Sequence, residues 1–119
     1  MTPYERFRPS FAKLLDERKW PLAWLDEEVA SGRATAMGDE RACIVAALRR
    51  YPGGLVEVHG LCAAGDLNAI KQLIGEAEAW GMAHGAGLAS IASRRGWARA
   101  LPEYAETQVT IEKELPDGS

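Results

Sequence analysis

The chain has 119 residues, of which 47% are apolar and 26% are charged, and its formal net charge at pH 7 is -3. This size and composition predict a single globular domain, residues 1–119, that buries roughly two thirds of its unfolded surface without disulfides or metals. The small negative charge gives no electrostatic basis for binding nucleic acid or an anionic membrane.

The cysteines and the hydropathy of the sequence indicate the cellular compartment of the protein. Cys43 and Cys62 lie in apolar stretches, have no CxxC spacing and no histidine at ligand spacing, so we expect buried thiols in a reducing environment and no metal site. No apolar run approaches the roughly 18 residues that a membrane helix needs. We therefore expect a protein that is cytoplasmic at synthesis and does not bind membranes.

Residues 1–31 form a helical N-terminal part in this reading. Apolar residues spaced by three and four predict a first helix over residues 3–18, with Pro9 tolerated as an early, first-turn proline. A second helix follows Pro21 and ends at Ser31-Gly32, where glycine is a typical stop signal.

Three strands are predicted next, over residues 33–38, 41–50 and 55–62, separated by tight turns. Periodicity alone leaves residues 41–50 open between helix and strand. We favour a strand because Cys43, Ile44 and Val45 form a short apolar run between two turn signals.

A long helix is predicted over residues 66–84, with Asp66 as its N-cap. A buried strand over 88–93, a short helix around Trp97 and a closing strand within 105–115 follow. The closing strand alternates, with one face made of Val109, Ile111, Lys113 and Leu115 and the other of Thr110, Glu112 and Glu114.

This order of elements predicts an α/β (α+β) fold. Tight turns make the first three strands antiparallel, whereas the strand–helix–strand step across residues 55–93 implies a right-handed crossover and a parallel pair. We expect a mixed, mostly antiparallel sheet with helices on both faces, the sheet and long helix occupying residues 33–115.

The element order and several local stretches resemble GNAT-type N-acetyltransferases over roughly residues 30–115. VEVHGL resembles the central strand of that family, GEAEAWGMAHG the later part of its long helix, and SRRGWARALPEY with a strand ending in EKEL its C-terminal region. The segment SRRGWARAL is also similar to a segment of small phage and prophage proteins. The resemblance implies a GNAT-like fold.

The coenzyme loop of that family has no counterpart here. Its members bind acetyl-CoA through a Q/R-x-x-G-x-G/A loop whose backbone N–H groups and helix N-terminus grip the pyrophosphate. The corresponding junction reads CAAGDLNAI, with one glycine, no arginine or glutamine, and an acidic residue that repels phosphate. It is also about three residues shorter than the junction of a typical family member, and a phosphate nest needs enough residues to surround the anion. Ala63, Ala64 and Gly65 are predicted to form a loop, and together with Asp66 they are the candidate cofactor-binding residues.

A second string, Gln72 to Ala77, matches Q-x-x-G-x-A but lies inside the predicted long helix. Backbone N–H groups there are committed to helix hydrogen bonds, so we expect helix interior and not a phosphate site.

The resemblance implies catalysis by a general base for the amine and often a tyrosine acid for the leaving thiolate. His59 and Glu57, on one face of the third strand, are the candidate bases, although a strand histidine is more often structural. Tyr104 lies where the family has an aromatic packing residue, and Arg99 and Ala100 before it offer no acid.

A basic-aromatic patch precedes that tyrosine and is the candidate interaction surface. It is either a grip for an acidic partner or solvated surface, and it consists of Arg94, Arg95, Trp97 and Arg99.

Three functional expectations follow from these residues. The first is a GNAT-like protein without acetyl transfer and without a cofactor, acting through protein contacts in a phage or prophage accessory or virion-assembly role. The second is a minimal acetyl-CoA-dependent N-acetyltransferase that uses residues 63–66 for coenzyme and His59 or Glu57 as base, with the strands at 55–62 and 88–93 splayed apart. The third is an interaction module that binds through the basic-aromatic patch. The sequence leaves the oligomeric state open.

Overall fold

The computed structural model describes residues 1–91, 100–107 and 110–116 of the chain. Three helices and four strands lie in this part, in the predicted order, and their class is the predicted α+β with a mixed sheet. The elements are α1 (Pro3–Leu14), α2 (Leu22–Ala30), β1 (Ala34–Gly38), β2 (Ala42–Arg50), β3 (Val56–Gly65), α3 (Leu67–Ala83) and β4 (Leu88–Ile91). The described helices include none that is long and apolar enough to cross a membrane.

The sheet has the order β1-β2-β3-β4. β1 pairs antiparallel with β2, β2 pairs antiparallel with β3, and β4 pairs parallel with β3 after the crossover through α3. The prediction that residues 41–50 form a strand is confirmed, because β2 occupies the centre of the sheet between β1 and β3.

Helices cover both faces of the sheet, as predicted, and the two faces carry separate apolar cores. The core beneath α3 and the core beneath α1 and α2 share no buried residue. The α3 core is built on Ala42, Ile44, Ala69, Ile70, Leu73, Ile74 and Ala77, and the α1–α2 core on Phe11, Leu25, Ala34, Cys43, Val45 and Ala64.

Helix α1 begins one residue after Thr2, whose hydroxyl accepts a hydrogen bond from the Glu5 N–H at 3.1 Å in a capping box. Pro9 therefore lies inside the helix, and the prediction of a first-turn proline is wrong. The helix also ends at Leu14 and not at residue 18, since the Leu15 backbone is extended.

Strand β3 contains a bulge. Val45 pairs with Cys62 and Ala46 pairs with Gly60, so Leu61 has no partner in β2. The extra residue reverses the alternation: Val58 and Gly60 face α3 before the bulge, and Ala63 faces α3 after it.

Close packing of α3 on β3 requires a glycine. A Cβ at Gly81 would lie 2.7 Å from the Val58 Cβ atom, so no larger residue fits without a shift of the helix. The helix ends in a Schellman motif at Gly85, whose φ is +88°. The Gly85 N–H donates to the Met82 carbonyl and the Ala86 N–H to the Gly81 carbonyl.

The predicted closing strand is not formed in the described residues of 105–115, which belong to no strand or helix. Glu112 and Glu114 instead form ion pairs with Lys19 and Arg18, in the connection between α1 and α2. Alternation alone does not make a strand, because a strand also needs a backbone partner. The predicted short helix around Trp97 falls outside the described residues, except that Ala100 is helical.

Candidate functional site

The junction between β3 and α3 is the predicted coenzyme site, and its first part is not a loop. Residues 63–65 are the last three residues of β3 and pair antiparallel with residues 42–44 of β2. The prediction that Ala63, Ala64 and Gly65 form a loop is therefore wrong. Pairing with the buried first half of the central strand β2 overrides the weak strand propensity of alanine and glycine.

Gly65 is required by the neighbouring strand. Its φ is +119°, a conformation that side-chain-bearing residues rarely adopt. A Cβ there would lie 2.3 Å from the Arg41 carbonyl oxygen and 2.6 Å from the Ala42 Cα. The only glycine of the junction thus permits backbone to approach backbone, and this explains its presence without a phosphate.

Asp66 is the N-cap of α3, as predicted. Its Oδ2 accepts a hydrogen bond from the Ala69 N–H at 3.0 Å, and its own N–H donates to the Arg41 carbonyl at 2.9 Å. A carboxylate therefore occupies the first turn of α3, where a helix would otherwise offer its N–H groups to an anion. The prediction that residues 72–77 lie inside this helix is confirmed.

An open hollow of about 420 Å³ lies between the end of β3, the start of α3 and the second half of α1. We call it the α1–α3 hollow. Leu14 and Leu67 are 58% and 48% exposed at its walls, and Lys13 is its one basic lining residue. Its lining residues are Ser10, Lys13, Leu14, Ala63, Ala64, Gly65, Leu67 and Ile70.

The hollow unites the predicted residues 63–65 with three α1 residues that sequence reasoning missed. Ser10, Lys13 and Leu14 are some fifty positions from Gly65 in the chain, and no local pattern relates them. The only available signal is Leu14, an apolar residue at the end of the first helical stripe that finds no place in the core.

Glu57 is a buried carboxylate on β3, 4% exposed. Its Oε2 accepts a hydrogen bond from the Tyr51 hydroxyl at 3.1 Å and lies 3.6 Å from an Arg49 guanidinium nitrogen. These two partners on β2 and the following turn balance the buried charge, which is a sufficient structural reason for the residue.

His59 lies two residues further along the same face of β3 and is 5% exposed. Its Nδ1 is 2.8 Å from the Ser90 hydroxyl oxygen, on the adjacent position of β4. Burial lowers the pKa of His59, the Arg49 charge lowers it further, and Glu57 acts in the opposite direction. The imidazole is therefore neutral at pH 7 and able to accept a proton.

The structure does not place the two candidate bases at the hollow. His59 and Ala63 are four strand residues apart, roughly 13 Å along β3. Ser90, Tyr51 and Arg49, the partners of the two bases, were not singled out by the sequence. The cross-strand register that brings them together is a tertiary property.

β3 and β4 are paired at all four positions of β4, from Glu57 with Leu88 to Gly60 with Ile91, so the expectation that these strands are splayed apart is wrong over the described residues. The cleft on the α3 side of this pairing has a volume of about 20 Å³, room for about one water. Tyr104 closes it and donates its hydroxyl hydrogen bond to Glu78 Oε2 at 2.5 Å. Burial and this hydrogen bond raise the pKa of Tyr104 far above its usual range, so it remains protonated.

The basic-aromatic patch of Arg94, Arg95, Trp97 and Arg99 lies outside the described residues, as does the course of the predicted strand beyond Ile91. In the described part, histidine, cysteine and acidic residues form no group of three that could hold a metal ion. Comparison with protein-family models, with curated proteins and with solved structures finds no match.

Proposed function

We propose that this chain is a GNAT-like protein that does not transfer acetyl groups and acts through protein contacts. The observation that carries the proposal is the junction between β3 and α3. Its glycine is used against the backbone of β2, and the carboxylate of Asp66 occupies the first turn of α3.

A pyrophosphate site needs free backbone N–H groups and positive potential. At this junction the N–H groups of Asp66 and Ala69 already donate within the chain. A phosphate charge ~4 Å from the carboxylate would meet a repulsion of about 4 kcal/mol at an effective dielectric constant near 20. Both terms oppose coenzyme binding where the resemblance would place it.

The biological setting we propose is an accessory or assembly role in a phage or prophage. It rests on the resemblance of residues 93–101 to a segment of such proteins and on the basic-aromatic patch that this segment contains. Virion genes beside the gene for this chain would support the setting. Charge reversal at Arg95 and Arg99 should abolish capture of the partner if the patch is the contact, and capture that persists would remove the patch from the proposal.

Titration with acetyl-CoA tests the absence of coenzyme binding. We expect no change in melting temperature up to millimolar coenzyme, whereas a ligand at a hundred times its dissociation constant would add about 2.7 kcal/mol of stability. The Asp66→Asn variant is the control for the effect of the negative charge, since asparagine keeps the N-cap and removes that charge. Micromolar binding to the natural protein by calorimetry would overturn the proposal.

A second candidate is a minimal acetyl-CoA-dependent N-acetyltransferase, and the α1–α3 hollow is the observation that favours it. The hollow has ligand-sized volume, is lined by the candidate residues Ala63, Ala64 and Gly65, and includes the cationic Lys13. In this reading His59 or Glu57 is the base. The candidate requires acetyl-CoA binding that Lys13→Glu weakens and acetyl transfer that His59→Gln reduces; without coenzyme binding it is excluded.

A further inference from the structure

The C-terminal segment of residues 110–116 presents an uncovered apolar side. Ile111 is 92% exposed and Leu115 is 76% exposed, although both are large aliphatic residues. The neighbouring acidic side chains, Glu112 and Glu114, are bound to Lys19 and Arg18. The segment is thus held to the body of the protein by its charged side, with its aliphatic side chains in solvent.

The α1–α3 hollow also exposes aliphatic side chains to solvent. Its walls include two aliphatic side chains, Leu14 and Leu67, that are about half exposed, around a floor of alanine and glycine from β3. Its charged groups are Lys13 on one wall and Asp66 at the adjoining helix start. An occupant that covers this hollow needs aliphatic side chains and a cation that can approach Asp66.

We infer that the C-terminal segment of one copy of this chain docks into the α1–α3 hollow of a second copy, and that the exchange is reciprocal. Ile111 and Leu115 cover the exposed parts of Leu14 and Leu67. Lys113, which lies between them in the sequence, approaches the carboxylate of Asp66. The inference names a second copy of the chain as a partner for the proposed protein-contact function, and the inference rests on that proposed function.

The ion pairs of the segment favour a second copy over the chain's own hollow. Glu112 and Glu114 fix the acidic side of the segment to residues 18 and 19 of the same chain, and the opposite side then faces away from that chain. While both pairs are intact, Ile111 and Leu115 face away from their own chain and are accessible to another molecule. Each copy has one segment and one hollow, so a two-fold exchange satisfies both and leaves no open end.

Light scattering during size-exclusion chromatography and sedimentation equilibrium test the inference on the full chain. We expect the natural protein to dimerise, and the Ile111→Glu/Leu115→Glu segment variant to raise the dimer dissociation constant by roughly tenfold or more per side chain. The Leu14→Glu/Leu67→Glu hollow variant should do the same. Thr110→Glu, which adds the same charge on the other side of the segment, should leave the dimer intact.

Mixing the two variants makes the test specific. The segment variant keeps a good hollow and the hollow variant keeps a good segment, so an equimolar mixture should form a heterodimer with one intact contact. A disulfide between Leu14→Cys in one chain and Leu115→Cys in another would report the same contact even if the charged variants fold poorly.

Three results would overturn the inference: a natural protein that is monomeric at all concentrations, a dimer that both variants leave unchanged, or a dimer that depends on the segment and not on the hollow. The last would indicate pairing between the two segments. No coenzyme is present in these assays, so their failure is distinguishable from acetyl-CoA binding, which refutes the proposed function.

Discussion

Replacing Gly65 with alanine distinguishes a glycine that the sheet requires from a glycine that a coenzyme would require. The new Cβ would lie 2.3 Å from the Arg41 carbonyl oxygen, a backbone atom that cannot rotate away, at a φ of +119°. Such backbone strain costs about 1–3 kcal/mol, and overpacking against a fixed neighbour costs about 1–3 kcal/mol. We therefore expect Gly65→Ala to lower the free energy of unfolding by about 2–6 kcal/mol.

Gly75→Ala is the matched control. Gly75 is exposed on α3, and a Cβ there meets nothing within 4 Å. The same substitution should stabilise the protein by about 0.5–1 kcal/mol, because alanine loses less backbone freedom in a helix. Each variant differs from the natural protein by one methyl group, and the two should change the free energy of unfolding in opposite directions.

Urea unfolding followed by tryptophan fluorescence and circular dichroism measures both effects. With a slope of about 1–3 kcal/mol per molar urea, the midpoint of Gly65→Ala should fall by roughly 1 M or more. A Gly65→Ala protein as stable as the natural one would refute the close approach of β3 to β2. If it also lost acetyl-CoA binding, the glycine would belong to a coenzyme site.

Three further outcomes are expected. Gly81→Ala should lower the free energy of unfolding by about 1–3 kcal/mol, because its Cβ would meet the Val58 Cβ at 2.7 Å; unchanged stability in urea would contradict this packing. Burial lowers the pKa of His59, so below about pH 6.5 the unfolded chain binds more protons than the folded one. The free energy of unfolding should therefore fall on acidification, and the fall should be smaller in His59→Gln. Equal pH profiles of the two proteins would contradict the burial of His59. Burial raises the pKa of Cys43 to about 11 and of Cys62 to about 12. At pH 8 a thiol reagent should therefore label both cysteines rapidly only after denaturation. Fast labelling of the native protein would contradict the burial of these thiols.

The sequence predicted the elements whose signals are local. The stripe of α3, its N-cap Asp66 and the glycine turns around β2 lie within a few residues of the structure they specify. Antiparallel pairing of β1, β2 and β3 then follows from short connections, and the parallel pairing of β4 follows from the crossover.

The end of β3 was not predictable in this way. Ala63, Ala64 and Gly65 have little strand propensity, and their extended backbone depends on hydrogen bonding to residues 42–44, some twenty positions earlier. The same is true of the candidate site. The residues Lys13 and Leu14 join residues 63–65 only because α1 packs across the α1–α2 face of the sheet.

In the C-terminal segment the sequence pattern predicted a strand that does not form. The pattern is local, whereas strand formation depends on a distant backbone partner. The alternation from Thr110 to Leu115 favours a strand, yet a strand forms only where an unpaired backbone edge is within reach. The ion pairs with Arg18 and Lys19 place the segment beside a helix connection, which offers side-chain charges and no such edge.

The bulge in β3 places two consecutive side chains, Leu61 and Cys62, on the α1–α2 side of the sheet. Deleting Leu61 would restore regular alternation, because Gly60 would still pair with Ala46 and Cys62 with Val45. Ala63 would still face α3 and Ala64 would still face α1, while the α1–α2 core would lose one aliphatic side chain. A one-residue deletion at the bulge should therefore cost the protein less than a deletion elsewhere in β3, which would exchange the two packing surfaces.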